Sequence, residues 1–355
     1  MEAQSPRLTR AFCVSPISHR TLVVTAHGAL LFATITFSAW NVLAGSFGTS
    51  FAHVAILCAV RDGTALVLLC ACRVLSERSC QASQRPGSNT GRPVGSRDWL
   101  LLATVGISAP FLAALATVCC AMLAGSDTVG ILNAVGPAIA SLLAVGVGLE
   151  RASWCLTAGV LLGSAGGCVT VKGASSAGSG SERSSTQLMG GIIAGIVMAL
   201  AQGIFFVAMK PLLRQTNARK GIPALVVIST GYAFASFASV SCCLGLAIFK
   251  GTQWLVDDWG SRQTFMAVYA GLICAGLNYF LLTWANKVLP VTICAVYGAL
   301  QPPCTAVMAF LARGEALTTA GYLSMFLVVA SVVIISWERS EAEPLHTGQR
   351  EELLT

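Results

Sequence analysis

The sequence predicts an all-α membrane protein of ten transmembrane helices, arranged as two inverted five-helix repeats. Three observations predict it: an apolar composition, a series of long charge-free runs, and an internal repeat. Of the 355 residues, 55% are hydrophobic and 10% are charged, against about 25% charged in a soluble domain. The mean hydropathy is +0.74. A soluble two-domain enzyme is excluded, because a core of this length cannot hide so much apolar surface.

The charge-free runs cover 21–60, 99–126, 128–149, 152–171, 184–209, 221–249, 263–286, 288–312 and 316–337. A helix needs roughly 20 apolar residues to cross about 30 Å of hydrocarbon. The first run holds one helix and the start of a second, which continues through Arg61 and Asp62. Spans are therefore expected near 24–46, 51–74, 99–123, 127–149, 152–172, 188–210, 223–249, 264–286, 289–312 and 317–337. The runs are continuously apolar, which is the pattern of helices and not of barrel strands. The first run follows about 20 mostly polar residues and lacks a small-residue cleavage site, unlike a signal peptide. A short organellar transit peptide is the alternative reading of that segment.

Orientation follows from the basic residues. With the N-terminus inside, the inner segments carry sixteen Lys and Arg and the outer segments five, with Arg61 inside a span. Both termini are expected to be cytoplasmic. The net charge of +7 is thus topological, and no nucleic-acid partner is expected. Trp99, Trp154 and Trp337 fall at span ends, where indoles anchor at headgroups. Most of the 14 cysteines lie within apolar runs, where a thiol packs as a small hydrophobe. Cys70 and Cys72, near the inner end of a span, are candidate palmitoylation sites.

A shift of 165 residues lays 96–150 on 261–315 without a gap. It pairs Ser96 with Ser261, Arg97 with Arg262, Gly106 with Gly271, Leu112 with Leu277, Ala134 with Ala299, Pro137 with Pro302, Ala144 with Ala309 and Glu150 with Glu315. Each half holds five spans, an odd number, so the second half enters the membrane in the opposite sense, as in secondary transporters. The expected organisation is a cytoplasmic N-terminal segment 1–23, a first repeat 24–172, a Gly/Ser linker 173–187, a second repeat 188–337 and a disordered tail 338–355.

The segments GLERASWCLTAGVLLGSAGG, from Gly148, and LARGEALTTAGYLSMFLVVAS, from Leu311, carry a glutamate at a span end before a small-residue helix. In this they resemble EamA-type proteins of the drug/metabolite transporter superfamily, and 270–317 is similar to the second EamA repeat. Through AWNVLAG, AVRDG and LQPP the chain most resembles the plant-type walls-are-thin/nodulin-like group. It departs from that pattern in reading GLER in the first repeat and in having Gly45 where that group often has Lys. The resemblance implies structural roles for Glu150 and Glu315 and no enzymatic activity.

Several residues could carry transport chemistry. Arg61 and Asp62 lie inside a span, where a charge costs about 2.5–3.5 kcal/mol on insertion scales. They read as a substrate-charge or proton site, or as a buried interhelical pair. Neighbouring helical positions point about 100° apart, so the two need not bridge. Pro137 and Pro302 interrupt the hydrogen-bond ladder and free carbonyls. Trp40, Asn41, Asn133, Gln202, Asn278, Trp284, Tyr297 and Gln301 are polar or aromatic groups inside spans, available to a solute or to a neighbouring helix. Asn41, Gln202, Asn278 and Gln301 are expected to converge near the two prolines. His27 and His53 read as hydrogen-bonded fillers in preference to proton relays.

No phosphate-binding loop, HExxH motif or nucleophile elbow occurs, and no metal or cofactor site is expected. The expected partners are a small-molecule solute and the lipid bilayer, with protons as a candidate coupling ion and a homodimer as a candidate assembly. The ninth and tenth spans lack internal Lys or Arg, which favours a neutral or zwitterionic metabolite over a phosphorylated one. Amino acids or related metabolites are the expected substrates; a nucleotide-sugar or organic-phosphate exchanger and a non-transporting scaffold or sensor are the alternatives. The terminal QREELL, Gln349 to Leu354, resembles a dileucine-type sorting signal. The plasma membrane and a vacuolar or endolysosomal membrane both remain open.

Overall fold

The computed structural model describes residues 19–44, 51–83, 94–124, 126–175, 185–214, 221–251, 253, 259–313 and 319–342. The helices are α1 His19–Ala44, α2 Phe51–Ser83, α3 Ser96–Ala124, α4 Ser126–Gly146 and α5 Trp154–Ser175. They continue as α6 Ser185–Leu213, α7 Ala224–Lys250, α8 Ser261–Val288, α9 291–313 and α10 Thr319–Ala342. Among the described residues, 6 helices (α1, α2, α3, α6, α7 and α8) are long and apolar enough to cross a membrane. Shorter apolar stretches, Gly136–Gly146 and Trp154–Gly166, lie in α4 and α5.

Side chains such as Trp154, Phe237, Ile248, Phe249 and Phe265 stand exposed on the outside. Water would penalise such a surface, and lipid does not. The interior is built from small residues around a few large ones, with Ala65, Ala109, Ala235 and Ala275 buried beside Tyr232 and Phe205. The chain is an integral, multi-pass membrane protein.

The boundaries differ from the expected ones where polar turns continue a helix beyond its apolar run. Thus α2 extends to Ser83 and α10 to Ala342, past the expected ends at 74 and 337. Most of the expected linker and the whole expected tail from 343 lie outside the described residues.

Packing pairs α5 with α10, α2 with α7, and α4 with α9. It sets α3 against α6 and α7, α8 against α1 and α2, α4 against α6, and α9 against α1. Adding five to a helix number maps these pairings onto one another, but the packing of α5 on α9 and of α6 on α8 and α9 has no such counterpart among the described residues. The helices α3 and α8 also share their construction. The N–H of Gly95 donates to Asp98 Oδ2 at 3.1 Å, and that of Gly260 to Gln263 Oε1 at 3.1 Å. Each helix then widens into a π-helical stretch, Ile107–Ala113 in α3 and Ala270–Leu277 in α8. In α3 the cause is Pro110, which has no N–H for the carbonyl four residues back.

Glycine lets the helices approach. A Cβ on Gly106 would lie 2.0 Å from the Gly231 carbonyl oxygen, so α3 and α7 touch through backbone. On Gly271 it would lie 2.6 Å from Thr64 Cβ, which fixes α8 against α2. Gly28 has nothing within 4 Å. Gly106→Ala should therefore lower the thermal midpoint in detergent, by an overpacking cost of about 1–3 kcal/mol. Gly28→Ala should leave it unchanged or raise it, by up to about 1 kcal/mol from helix propensity.

Candidate functional site

The π-helical stretch of α3 turns two consecutive carbonyls outward. Arg61 Nη2 of α2 donates to the Pro110 carbonyl, and the Tyr279 hydroxyl of α8 donates to that of Ala109 at 3.4 Å. Arg61 also donates through Nε at 2.9 Å and Nη2 at 2.7 Å to Asp62 Oδ1. Asp62 Oδ2 accepts from Ser239 of α7 at 2.5 Å. The adjacent pair thus does bridge, because the long guanidinium stem curls back across the angle between helical neighbours. Asp62 has no exposed surface, whereas the Arg61 side chain retains 16%. Tyr279 stacks edge-on with Phe37 of α1, Phe205 of α6 and Tyr232 of α7, and so forms an aromatic hub.

The second region surrounds the prolines of α4 and α9. Pro137 has no N–H for the Asn133 carbonyl, and Pro302 and Pro303 have none for those of Gly298 and Ala299. In α9 the helix breaks at Leu300, between Val291–Ala299 and Gln301–Arg313. The amide of Gln202 on α6 faces the α4 kink, with Oε1 4.0 Å from where a Cβ on Gly136 would sit. Asn133, Gln202 and Gln301 are half-buried, and their side-chain amides make no hydrogen bond among the described residues. The indoles of Trp40 and Trp284 are likewise half-buried without a hydrogen bond.

The structure does not bring the rest of the expected set to this region as open groups. Asn278 is fully buried against α1, where its Oδ1 accepts from Thr36 at 2.9 Å and its Nδ2 donates to the Ala33 carbonyl at 3.4 Å. It joins two helices and is not free for a solute; a buried amide in an apolar contact needs such partners. The Tyr297 hydroxyl bonds His27 Nδ1 at 2.9 Å, which ties α9 to α1. The side chains of Asn41 and His53, and all of Glu315, lie outside the described residues.

Glu150 reaches across to the start of α9. Its Oε1 accepts from the Thr292 N–H at 3.1 Å and its Oε2 from the Thr292 hydroxyl at 2.5 Å, at the start of α9. Ser141 of α4 donates to the same hydroxyl at 3.1 Å. From α6, Lys210 Nζ donates to the carbonyls of Asn286 at 2.7 Å and Leu289 at 2.6 Å, at the end of α8. One turn, at Leu289 and Pro290, is thereby held by an anion on a helix N-terminus and a cation on a helix C-terminus. Lys210 reads from sequence only as a loop charge. Its position one residue before Pro211, in the last turn of a helix, is the signal that would have found it.

This is the architecture of a polytopic membrane protein with polar groups and broken helices in its centre. Residues 189–337 match the EamA-like transporter family and form a domain of that family. A WAT1-related protein of Arabidopsis thaliana is 30% identical over 135 residues, 37% of this chain and 34% of that protein. An auxin-induced protein of Pinus taeda is 26% identical over 150 residues, 41% of this chain and 34% of that protein. The match thus spans about a third of the length of these curated relatives. Both are consistent with the plant-type walls-are-thin/nodulin-like group. A solved crystal structure aligns with a TM-score of 0.65 at 18% identity, over 92% of this chain and 100% of that one, so the fold extends beyond the matched domain.

Glu150→Ala should destabilise the protein by about 1–3 kcal/mol, because it strands a helix-start N–H and a hydroxyl. Lys210→Met should do the same through two carbonyls. Because both fasten one turn, thermal unfolding of the double variant should show a non-additive coupling of about 0.5–3 kcal/mol.

Proposed function

We propose that the chain is a secondary transporter of small neutral or zwitterionic organic solutes, amino acids or related metabolites, working by alternating access. Ten membrane helices form two inverted five-helix repeats, with both termini cytoplasmic. The observation that carries this reading is the set of half-buried, unbonded amides of Asn133, Gln202 and Gln301 beside the proline breaks of α4 and α9. These amides are not fully buried, so a solute can reach them and supply hydrogen bonds. The freed carbonyls of Asn133 and Gly298 add acceptors, as at the broken helices of other transporters. The pairing pattern that survives renumbering by five supports the repeat, and so do the matched caps and π-helical stretches of α3 and α8. The family domain at 189–337 supports the transport class.

In proteoliposomes carrying the full chain, a panel of amino acids, sugars and organic phosphates should show uptake of amino acids. Gln202→Leu and Gln301→Leu should each lower that uptake about tenfold, the effect of losing about 1.4 kcal/mol of binding, while the thermal midpoint holds. Uptake of phosphorylated sugars alone would favour the exchanger, and uptake of nothing the scaffold. For topology, single cysteines placed within 75–97 should react from the cytoplasmic side and those within 174–186 from the opposite side. Labelling of both from one face contradicts the five-plus-five arrangement.

A further inference from the structure

The Arg61–Asp62 pair has three properties that a purely structural ion pair does not need. Its two members differ in access: Asp62 is sealed, while Arg61 keeps an open side. The Arg61 fork is only partly used, since Nε and Nη2 are engaged and Nη1 has no acceptor among the described residues. On the α7 face that carries Ser239 stand two buried hydroxyls with no hydrogen bond among the described residues, Ser236 Oγ and Tyr232 Oη. Positions 232, 236 and 239 follow helical spacing, so all three share one face of α7.

We propose that Arg61 and Asp62 form the proton-coupling centre of the transporter, in which the carboxylate of a solute takes Arg61 while Asp62 takes up one proton. This rests on the transporter reading above. With no solute bound, the guanidinium and the carboxylate neutralise each other in a site where Arg61 keeps some exposed surface and Asp62 keeps none. A solute carboxylate approaching the open side of Arg61 competes for the same N–H groups, because a guanidinium binds a carboxylate best through two parallel bonds. Once Nε and Nη2 turn to the solute, Asp62 is left as a buried anion held by Ser239 alone, and a lone charge there is expensive. One proton from the aqueous side adds to Asp62 Oδ1 and removes that cost, and Ser239 continues to donate to Oδ2. On release the proton leaves, and Asp62 recovers its guanidinium. Ser236 and Tyr232 offer hydroxyls to the solute or to the water that delivers the proton.

The other titratable groups around Asp62 are Cys58 on α2, Cys119 on α3, Tyr232 and Cys242 on α7, and Cys274 and Tyr279 on α8. Ordinary thiols and phenols are neutral near pH 7, so Arg61 and Asp62 carry the charge in this cluster. The solute's own net charge does not decide the coupling, because Asp62 protonates on losing its partner. Zwitterionic and monoanionic carboxylates should both bring a proton with them.

The experiment uses the full chain in proteoliposomes with a trapped pH dye, and glutamine, phenylalanine and phenylacetate as probes, with glucose as the carboxylate-free control. Uptake of a carboxylate probe should acidify the lumen by one proton per solute. A gradient of about one pH unit, acidic outside, should raise accumulation about tenfold, since one proton moved down one unit carries about 1.4 kcal/mol. Asp62→Asn should abolish the response to the gradient while solute exchange across the membrane persists. Arg61→Gln should abolish uptake of the carboxylate probes. Should these variants fail to fold, the dye and gradient measurements on the unmodified protein decide alone. Uptake of glutamine or phenylalanine without lumenal acidification overturns the inference, as does an Asp62→Asn protein that still responds to the gradient. Uptake of glucose alone also overturns it and leaves transport standing; uptake of no solute overturns both.

Discussion

Away from water, every polar group must find its partner inside the protein, and this constraint explains where the helices touch. A regular helix satisfies its own backbone and has no need of neighbours. At several of the interruptions, side chains from other helices come to the gap. The π-helical stretch of α3 releases carbonyls that α2 and α8 take up through Arg61 and Tyr279. Near the break in α9, the carbonyls of Tyr297 and Gln301 accept from Thr34 and Ser38 of α1. At the turn after α8, Lys210 and Glu150 serve the last carbonyls and an early N–H. The breaks are therefore the joints of the tertiary structure.

That rule also sorts what could be read from the sequence. Helix existence was legible, because charge-free length reports directly on hydrocarbon thickness. Helix ends were less so: α2 runs on through Arg73 and Glu77, which pair at 2.9 Å along the helix surface and let it leave the apolar layer intact. The π-helical stretches were not legible. Pro110 signals a fault in α3, but no proline marks the one in α8, where Gly271 and Gly276 admit α2 instead. The site was half legible, since residue type identifies a polar group inside a span without saying whether it is spent. Asn278 and Gln202 look alike in sequence; one bonds Thr36, and the other makes no side-chain hydrogen bond among the described residues. The Arg61–Asp62 bridge escaped because Cβ directions on a helix mislead for a side chain as long as arginine.

The helices α3 and α8 share a construction, but the charges are placed unevenly. The buried charges sit on α2, and α7 answers them with the Ser239 hydroxyl. The clasp on the α8–α9 turn draws its anion from the end of α4 and its cation from α6. The helix packing thus supplies a frame, and single residues on that frame place charge at one point beside α3 and another at the α8–α9 turn.

The helix α9 shows what such a frame permits. Its first piece, Val291–Ala299, packs on α4 and is tied through Glu150 and Ser141, while its second, Gln301–Arg313, packs mainly on α1. Between them Leu300 breaks the helix, and Pro302 and Pro303 withhold the hydrogen bonds that would stiffen it. The two pieces differ in their main neighbours, though Tyr297 of the first also bonds His27 and Thr34 of α1. Their joint keeps the bonds from the Leu300 N–H to the Tyr297 carbonyl and from the Cys304 N–H to the Leu300 carbonyl. A rotation of the second piece against α4 would strain the bonds of Tyr297 to His27 and Thr34 of α1, while the Glu150 and Ser141 ties on the first piece stay in place.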